Sequence, residues 1–283
     1  MTHEKIFRLI ETADNFVKYA KPGAEHRAAV RARKRYERAA RLAEKEDDRD
    51  LMEQVSLRLA DLEHRTSLPD SVTSEDDAPE ATVSEVLEHK EARVPPGQRV
   101  VRGWPVLHEG PIPRFDPATW SMTIDGAVES PTVLAYEELK SLPNIELTSD
   151  FHCVTGWTKL DNSWGGVRTR TLLDRARPGP EAKHALVHAE YGYTANVPLE
   201  MLLADDAIVA WQHNGKPLAP KHGFPLRLVV PRLYGWKSVK WVRRFELLGA
   251  DRRGFWEVRG YHNRAAPWLE ERYSYQEGVR GNQ

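Results

Sequence analysis

NGKPLAPKHGFPLRLVVPRLYGWKSVKW, residues 214–241, is the stretch that decides the fold. Asn214-Gly215 closes an apolar run, Ala207–His213, with the dipeptide most favoured for a two-residue hairpin turn. Leu226–Val230, apolar apart from Arg227, reads as a short buried strand. Gly235-Trp236-Lys237-Ser238 then reads as a loop that feeds a further strand, Ser238–Leu248. Upstream, Trp120–Ile124, Glu146–Val154 and Ala185–Tyr191 have strand texture, and short helices fit Tyr136–Leu142, Thr171–Ala176 and Leu199–Ala204. These strands do not alternate with long helices, and no Gly-rich phosphate loop accompanies them. The expected class is therefore α+β with mixed sheets, not a doubly wound nucleotide fold.

The rest of the 283-residue chain divides by composition. Residues 1–66 are dense in Ala, Arg, Glu and Leu, and Pro22-Gly23 interrupts them. Two helices are predicted, about Ala24–Glu46 and Asp48–His64, the second carrying Leu51, Val55, Leu59 and Leu62 at helical spacing. Arg27, Arg31, Arg33, Lys34, Arg35, Arg38 and Arg41 make the first strongly basic. Such a hairpin suits a solvated face, a docking surface for a partner, or a nucleic-acid arm. Residues 67–94 are acidic and interrupted by Pro69 and Pro79, as in a linker, with a short helix near Val83–His89. Residues 95–283 hold all nine tryptophans and most strand-like runs, and form the expected main domain.

A net charge of −1 argues against a chain-wide nucleic-acid polycation, and no apolar run is long enough to span a bilayer. The N-terminal residues lack the texture of a secretion signal, so the cytoplasm is the expected compartment. Charge is nonetheless local. Between Asp206 and Glu246 there is no acidic residue, but there are Lys216, Lys221, Arg227, Arg232, Lys237, Lys240, Arg243 and Arg244, with His213 and His222. The residue 235–238 loop, with amides, a hydroxyl and ammonium groups, fits a phosphate cradle; the same cations could simply face water. The second chemical feature is Phe151-His152-Cys153-Val154-Thr155-Gly156-Trp157, which ends an expected strand and holds the chain's one cysteine. Gly156 allows a sharp turn after it, and a thiolate there suits a soft metal. A Cys153 nucleophile paired with His152 is disfavoured because neighbours on a strand point to opposite faces. His184 and His188 would share a strand face without the geometry of a helical zinc pair.

Taken with FDPATWSMTIDGAVESP (residues 115–131), NSWGGV (162–167), GYTANVPLEMLL (192–203) and GFWEVRGYHNR (254–264), these segments resemble the molybdopterin-binding domain of the sulfite oxidase family. The similarity runs from about Pro95 to Tyr273. It is closer to the bacterial sulfoxide-reductase branch than to true sulfite oxidases. The resemblance implies a molybdenum–molybdopterin cofactor, with Cys153 as its metal ligand. It implies cofactor contacts at His222, Arg227, Ser238, Val239 and Lys240, and at His108, where the family usually has an asparagine. Tyr193 aligns with the active-site tyrosine and Trp164 with an aromatic near the substrate channel, a residue that suits the core equally well. In such a site the cofactor carries the two-electron oxygen-atom transfer and protein groups orient it.

Two departures bear on substrate. Val154-Thr155-Gly156-Trp157 replaces the Gly-Asn-Arg-like run that follows the cysteine in sulfite oxidases, and Leu107 stands where they carry a sulfite-binding arginine. A dianion would be poorly paired there. Reduction of an S- or N-oxide of a small molecule is the expected reaction, with electrons exchanged through a separate partner, since no CxxCH or iron–sulfur spacing occurs. The alternative is a degenerate, non-catalytic module that binds an anion in the basic cleft or a partner on the N-terminal helices.

Overall fold

The computed structural model describes residues 25–47 and 93–277 continuously, together with 5–6, 8–10, 12–13, 16, 52, 55–56, 58–59 and 62–63. Helix α1 spans Glu25–Lys45, close to the first expected helix. Of the second, residues 52, 55–56, 58–59 and 62–63 are helical and the remainder lies outside the described residues, as does the helix expected near 83–89. Ile6, Ile10, Ala32, Tyr36, Val55 and Leu62 belong to one hydrophobic cluster made entirely from this N-terminal zone. No described helix is long and apolar enough to cross a membrane.

The remainder is built on two sheets. Strands β1 (Arg99–Val100), β2 (Ser121–Gly126) and β3 (Thr132–Ala135) are followed by helix α2 (Tyr136–Lys140). Next come β4 (Ile145–Cys153), β5 (Trp157–Arg168) and helix α3 (Thr169–Leu173). Then follow β6 (His184–Ala189), β7 (Thr194–Pro198), helix α4 (Leu199–Leu202), β8 (Ile208–His213) and β9 (Lys216–Pro217). The last strands are β10 (Arg227–Val229) and β11 (Val242–Leu248).

One sheet is ordered β1-β5-β8-β10, with β4 on the other side of β5 and β9 beside β8; the second is ordered β3-β2-β11-β6-β7. β11 is central in the second, parallel to β2 and antiparallel to β6. Ile124, Val187 and Phe245, from these three adjacent strands, are fully buried, each contributing about 1.5–3 kcal/mol of hydrophobic stabilisation. The architecture is α+β with mixed sheets, as expected. Residues 214–241 follow β8, contribute β9 and β10 to the first sheet and lead into β11 of the second, so the loop between β10 and β11 bridges the two sheets.

The sequence reading needs correction in several places, since the short strands β1, β3, β7 and β9 also lie outside the expected ones. β5, twelve residues long, has no counterpart among the expected strands because Asp161, Asn162 and the Gly165-Gly166 pair depress strand propensity. It forms because both its edges are paired, and a register shift at Gly165/Gly166 accommodates the glycines. The strand expected over Ser238–Leu248 begins only at Val242: Trp241 takes a left-handed backbone (φ 55°), separating an irregular loop from the strand. The strand expected over Ala185–Tyr191 stops at Ala189, where Tyr191 (φ 56°) turns the chain back toward β7.

Candidate active site

Cys153 is the last residue of β4 and pairs with Trp157 across a three-residue turn. The Gly156 amide donates to the Cys153 carbonyl at 3.0 Å, and Gly156 has φ 86°, the conformation its lack of a side chain was expected to permit. The thiol lies 3.2 Å from Thr155 Oγ1 and lines a cavity between the two sheets. His152 points the other way. Its Nδ1 meets Thr158 Oγ1 at 2.9 Å and its ring packs edge-on against Trp268. Alternation along β4 thus separates these neighbours, and burial pulls the His152 ring down to about 4.

The same cavity is lined by His108, Tyr193, His222, Arg227, Ser238, Val239 and Lys240, so the expected cofactor contacts and Tyr193 share one space with Cys153. Trp164 does not. It is fully buried, donates its indole N–H to Ser149 Oγ at 3.0 Å and packs behind Trp104, and therefore belongs to the core.

Arg227 is the electrostatic centre. Its side chain is 3% exposed, and its guanidinium lies over the rings of Trp104 (5.1 Å) and Phe151 (5.0 Å). One amine donates to the His222 carbonyl at 2.9 Å. Burial pulls the guanidinium down to about 9, opposed by the neighbouring Tyr193 and Cys153 side chains. The His222 ring stacks flat on Trp104, 4.0 Å between centroids and 7° between planes. Burial, then the charges of Lys240 and Arg227, push it down to about 3, so at neutral pH the ring is uncharged. Lys240 Nζ donates to the carbonyls of Leu107 (2.7 Å) and Lys221 (2.8 Å). Tyr193 donates its hydroxyl to the Trp236 carbonyl at 2.7 Å; burial, with Glu257 nearby, keeps the phenol protonated far above its ordinary range.

The acid-free stretch proves to be two populations of cations. Arg232 pairs with Asp206, Lys237 with Glu257, Arg243 with Glu190 and Arg244 with Asp125, all carboxylates from outside the stretch. Arg227 and Lys240 alone of these lysines and arginines line the cavity. The expected cradle is also reshaped. The amides of Lys237 and Ser238 close a turn onto the Tyr234 and Gly235 carbonyls, and Lys237 is turned away from the cavity to Glu257. Ser238 Oγ accepts from the Val230 amide at 3.0 Å, leaving its own proton for a ligand. His188 meets Glu246 at 2.9 Å and His184 lies 3.7 Å from Asp251.

Reading residues alone missed Trp104, whose short flanking motif has no periodicity to announce it, although it supports both His222 and Arg227. It also missed Gly235. A Cβ there would sit 2.5 Å from Phe151 Cε1, so only glycine lets the bridging loop lie against β4.

Two buried atoms at the cavity, His222 Nδ1 and Arg227 Nε, have no hydrogen-bond partner among the described residues. An orphaned guanidinium N–H beside a ring nitrogen, with a thiol facing the same space, suits a ligand bearing an anionic oxygen group and a soft metal. The residues present therefore fit a metal–pterin phosphate.

Comparison with known proteins agrees. Residues 109–256 match the family model described as "Oxidoreductase molybdopterin binding domain". The chain is 45% identical over 184 residues to the uncharacterized oxidoreductase YuiH of Bacillus subtilis, covering 65% of this chain and 93% of that one. It is 28% identical over 160 residues to the protein-methionine-sulfoxide reductase catalytic subunit MsrP of Campylobacter jejuni, covering 50% of this chain and 54% of that protein. The sulfane dehydrogenase SoxCD from Paracoccus pantotrophus shares the fold, with TM-score 0.50 and 22% identity over 72% of this chain and 60% of that one. The chain thus spans little more than half of the sulfoxide reductase subunit. It belongs to the molybdopterin-binding oxidoreductases of the sulfite oxidase family.

Proposed function

We propose that this chain catalyses two-electron oxygen-atom transfer on a small molecule, in the direction of S- or N-oxide reduction, with Cys153 as the metal ligand. The observation that carries the reading is the meeting of the one cysteine with the orphaned polar atoms of Arg227 and His222 in one cavity. When bound, the molybdenum–pterin group supplies a centre that exchanges an oxygen atom and two electrons with substrate. Cys153 would hold the metal through its thiolate, whose negative charge offsets part of the cost of burying Arg227. Arg227, His222 and Lys240, with the Ser238 hydroxyl, the Val239 segment and His108, would hold the pterin and its phosphate by charge-assisted hydrogen bonds.

Tyr193 is the proton-bearing group on the substrate side. Its proton rests on the Trp236 carbonyl and can be redirected to an oxide oxygen, which accepts without the phenol ionising. Aromatic walls at Trp236, Trp256 and Tyr261 exclude water around the oxide dipole. With its single cysteine in this cavity, the chain has no second thiolate to hold an iron–sulfur cluster, so electrons pass to or from a separate partner. We take residues 95–283 as the catalytic domain, 67–94 as the linker and 1–66 as an appended helical unit.

The test is metal and pterin analysis of the chain made in a molybdopterin-competent host, followed by a screen of sulfoxides, N-oxides and sulfite with artificial electron carriers. About one molybdenum per chain and reduction of an oxide are expected. Cys153→Ser should abolish activity while the fold, read by circular dichroism, is kept. A folded wild-type chain that takes up no cofactor would sink the proposal.

A further inference from the structure

The turn Val154-Thr155-Gly156, which joins β4 to β5 and departs from the run found in sulfite oxidases, is pinned from outside. The Cys153 carbonyl accepts from the Gly156 amide at 3.0 Å and from the Gln98 side-chain amide at 3.1 Å. The Val154 carbonyl accepts from the Arg272 guanidinium at 2.6 Å, and the Gly156 carbonyl from the Arg99 amide at 3.0 Å. Thr155 is thus buried on a backbone held on both sides of it, and its β-branched side chain has few rotamers to choose from. Its Oγ1 lies 3.2 Å from Cys153 Sγ, the one hydrogen-bond partner of that hydroxyl among the described residues.

The direction of this bond follows from the state of the sulfur. A thiol can donate to the hydroxyl, whereas a metal-bound thiolate has no proton and can only accept. The Thr155 proton then points at the sulfur. A hydrogen bond to a ligating sulfur draws electron density away from the metal, which favours the reduced state and raises the potential.

We infer that Thr155 is a positioning residue acting through Cys153: its hydroxyl donates to the metal-bearing thiolate, holds the sulfur in place and eases reduction of the centre. This rests on the oxidoreductase reading. In an oxide reductase the centre must take two electrons from an external carrier before it can give them up, so a raised potential serves that uptake.

Thr155→Val keeps the shape of the side chain and removes the hydroxyl, and Thr155→Ser keeps the hydroxyl. In the cofactor-free full-length chain Cys153 is the sole thiol, so its S–H stretch is a single Raman band. The band should shift in Thr155→Val and return in Thr155→Ser. A band that does not move in a folded Thr155→Val chain overturns the contact and the inference with it. In the loaded chain the potential is read with redox mediators, following the sulfur-to-metal charge-transfer absorption. Thr155→Val should lower the reduced-to-oxidised ratio at a fixed applied potential about fivefold, the scale of one hydrogen bond, and move that absorption to lower energy. Thr155→Ser should keep most of both values. A full complement of molybdenum with an unmoved potential in Thr155→Val overturns the inference and leaves the oxidoreductase reading standing. A wild-type chain that takes up no molybdenum refutes that reading and, with it, the role given to Thr155.

Discussion

Replacing Lys237 by methionine should destabilise the protein by about 3–5 kcal/mol, the penalty for removing one partner of a buried ion pair. Its Nζ lies 2.6 Å from Glu257 Oε1, and neither side chain is exposed at all. The ammonium is further held by Asn196 Oδ1 at 2.6 Å, the Asn196 carbonyl at 2.9 Å and the Asn263 carbonyl at 2.7 Å. Once it is gone, the Trp236 indole, at 2.8 Å, is the side-chain donor left to Glu257 among the described residues, and Glu257 Oε2 has no partner among them even now. With a urea dependence of about 2 kcal/mol per molar, the loss lowers the unfolding midpoint of the cofactor-free chain by about 2 M. The double variant Lys237→Met with Glu257→Gln removes the stranded charge and should recover at least half of that. Pterin retention should weaken too, because this pair anchors the loop that carries Ser238, Lys240 and the Trp236 carbonyl. A single variant costing less than about 1 kcal/mol, or a double variant no better than the single, would refute the reasoning.

Gly235→Ala should lose about 1–3 kcal/mol and most cofactor retention, since the new methyl meets Phe151 at 2.5 and 2.6 Å; urea melts and pterin quantification check it. Stability of the cofactor-free chain should fall as pH drops from about 6.5. His152, His213 and His222 have folded values of about 4, 4 and 3, below the ordinary 6.5, so the unfolded chain binds more protons throughout that window. The contribution is complete above the unfolded value and is lost progressively down to the folded ones. His152 alone accounts for up to about 2 kcal/mol between pH 6.5 and 5, and His152→Gln should flatten the urea-midpoint profile there. A flat wild-type profile over that range would contradict the buried neutral rings.

Much of the site was legible because its chemistry is written in residue types that do little else at those positions. A single cysteine before a turn glycine and a run without acids pointed to a thiolate beside a cation, the family resemblance supplied the cofactor-contact positions, and Cys153, Tyr193 and those positions line one cavity, whereas most cations of the run and Trp164 do not. The α+β class followed equally from local patterns, since strands separated by turns leave no room for long crossover helices.

What composition could not reveal was how charge and chain direction are resolved in space. Lys237 and Lys240 are three apart in one basic run, yet one is neutralised by a glutamate twenty residues on and the other faces the cavity. Trp164 and Trp104 look alike as sequence, but neighbouring strands bury the first while the second supports Arg227. β5 exists because partners on both edges satisfy its backbone, whatever its glycines prefer. Residue identity determines which chemistry is possible; desolvation, ion pairing and edge pairing are long-range effects, and only the folded chain decides them.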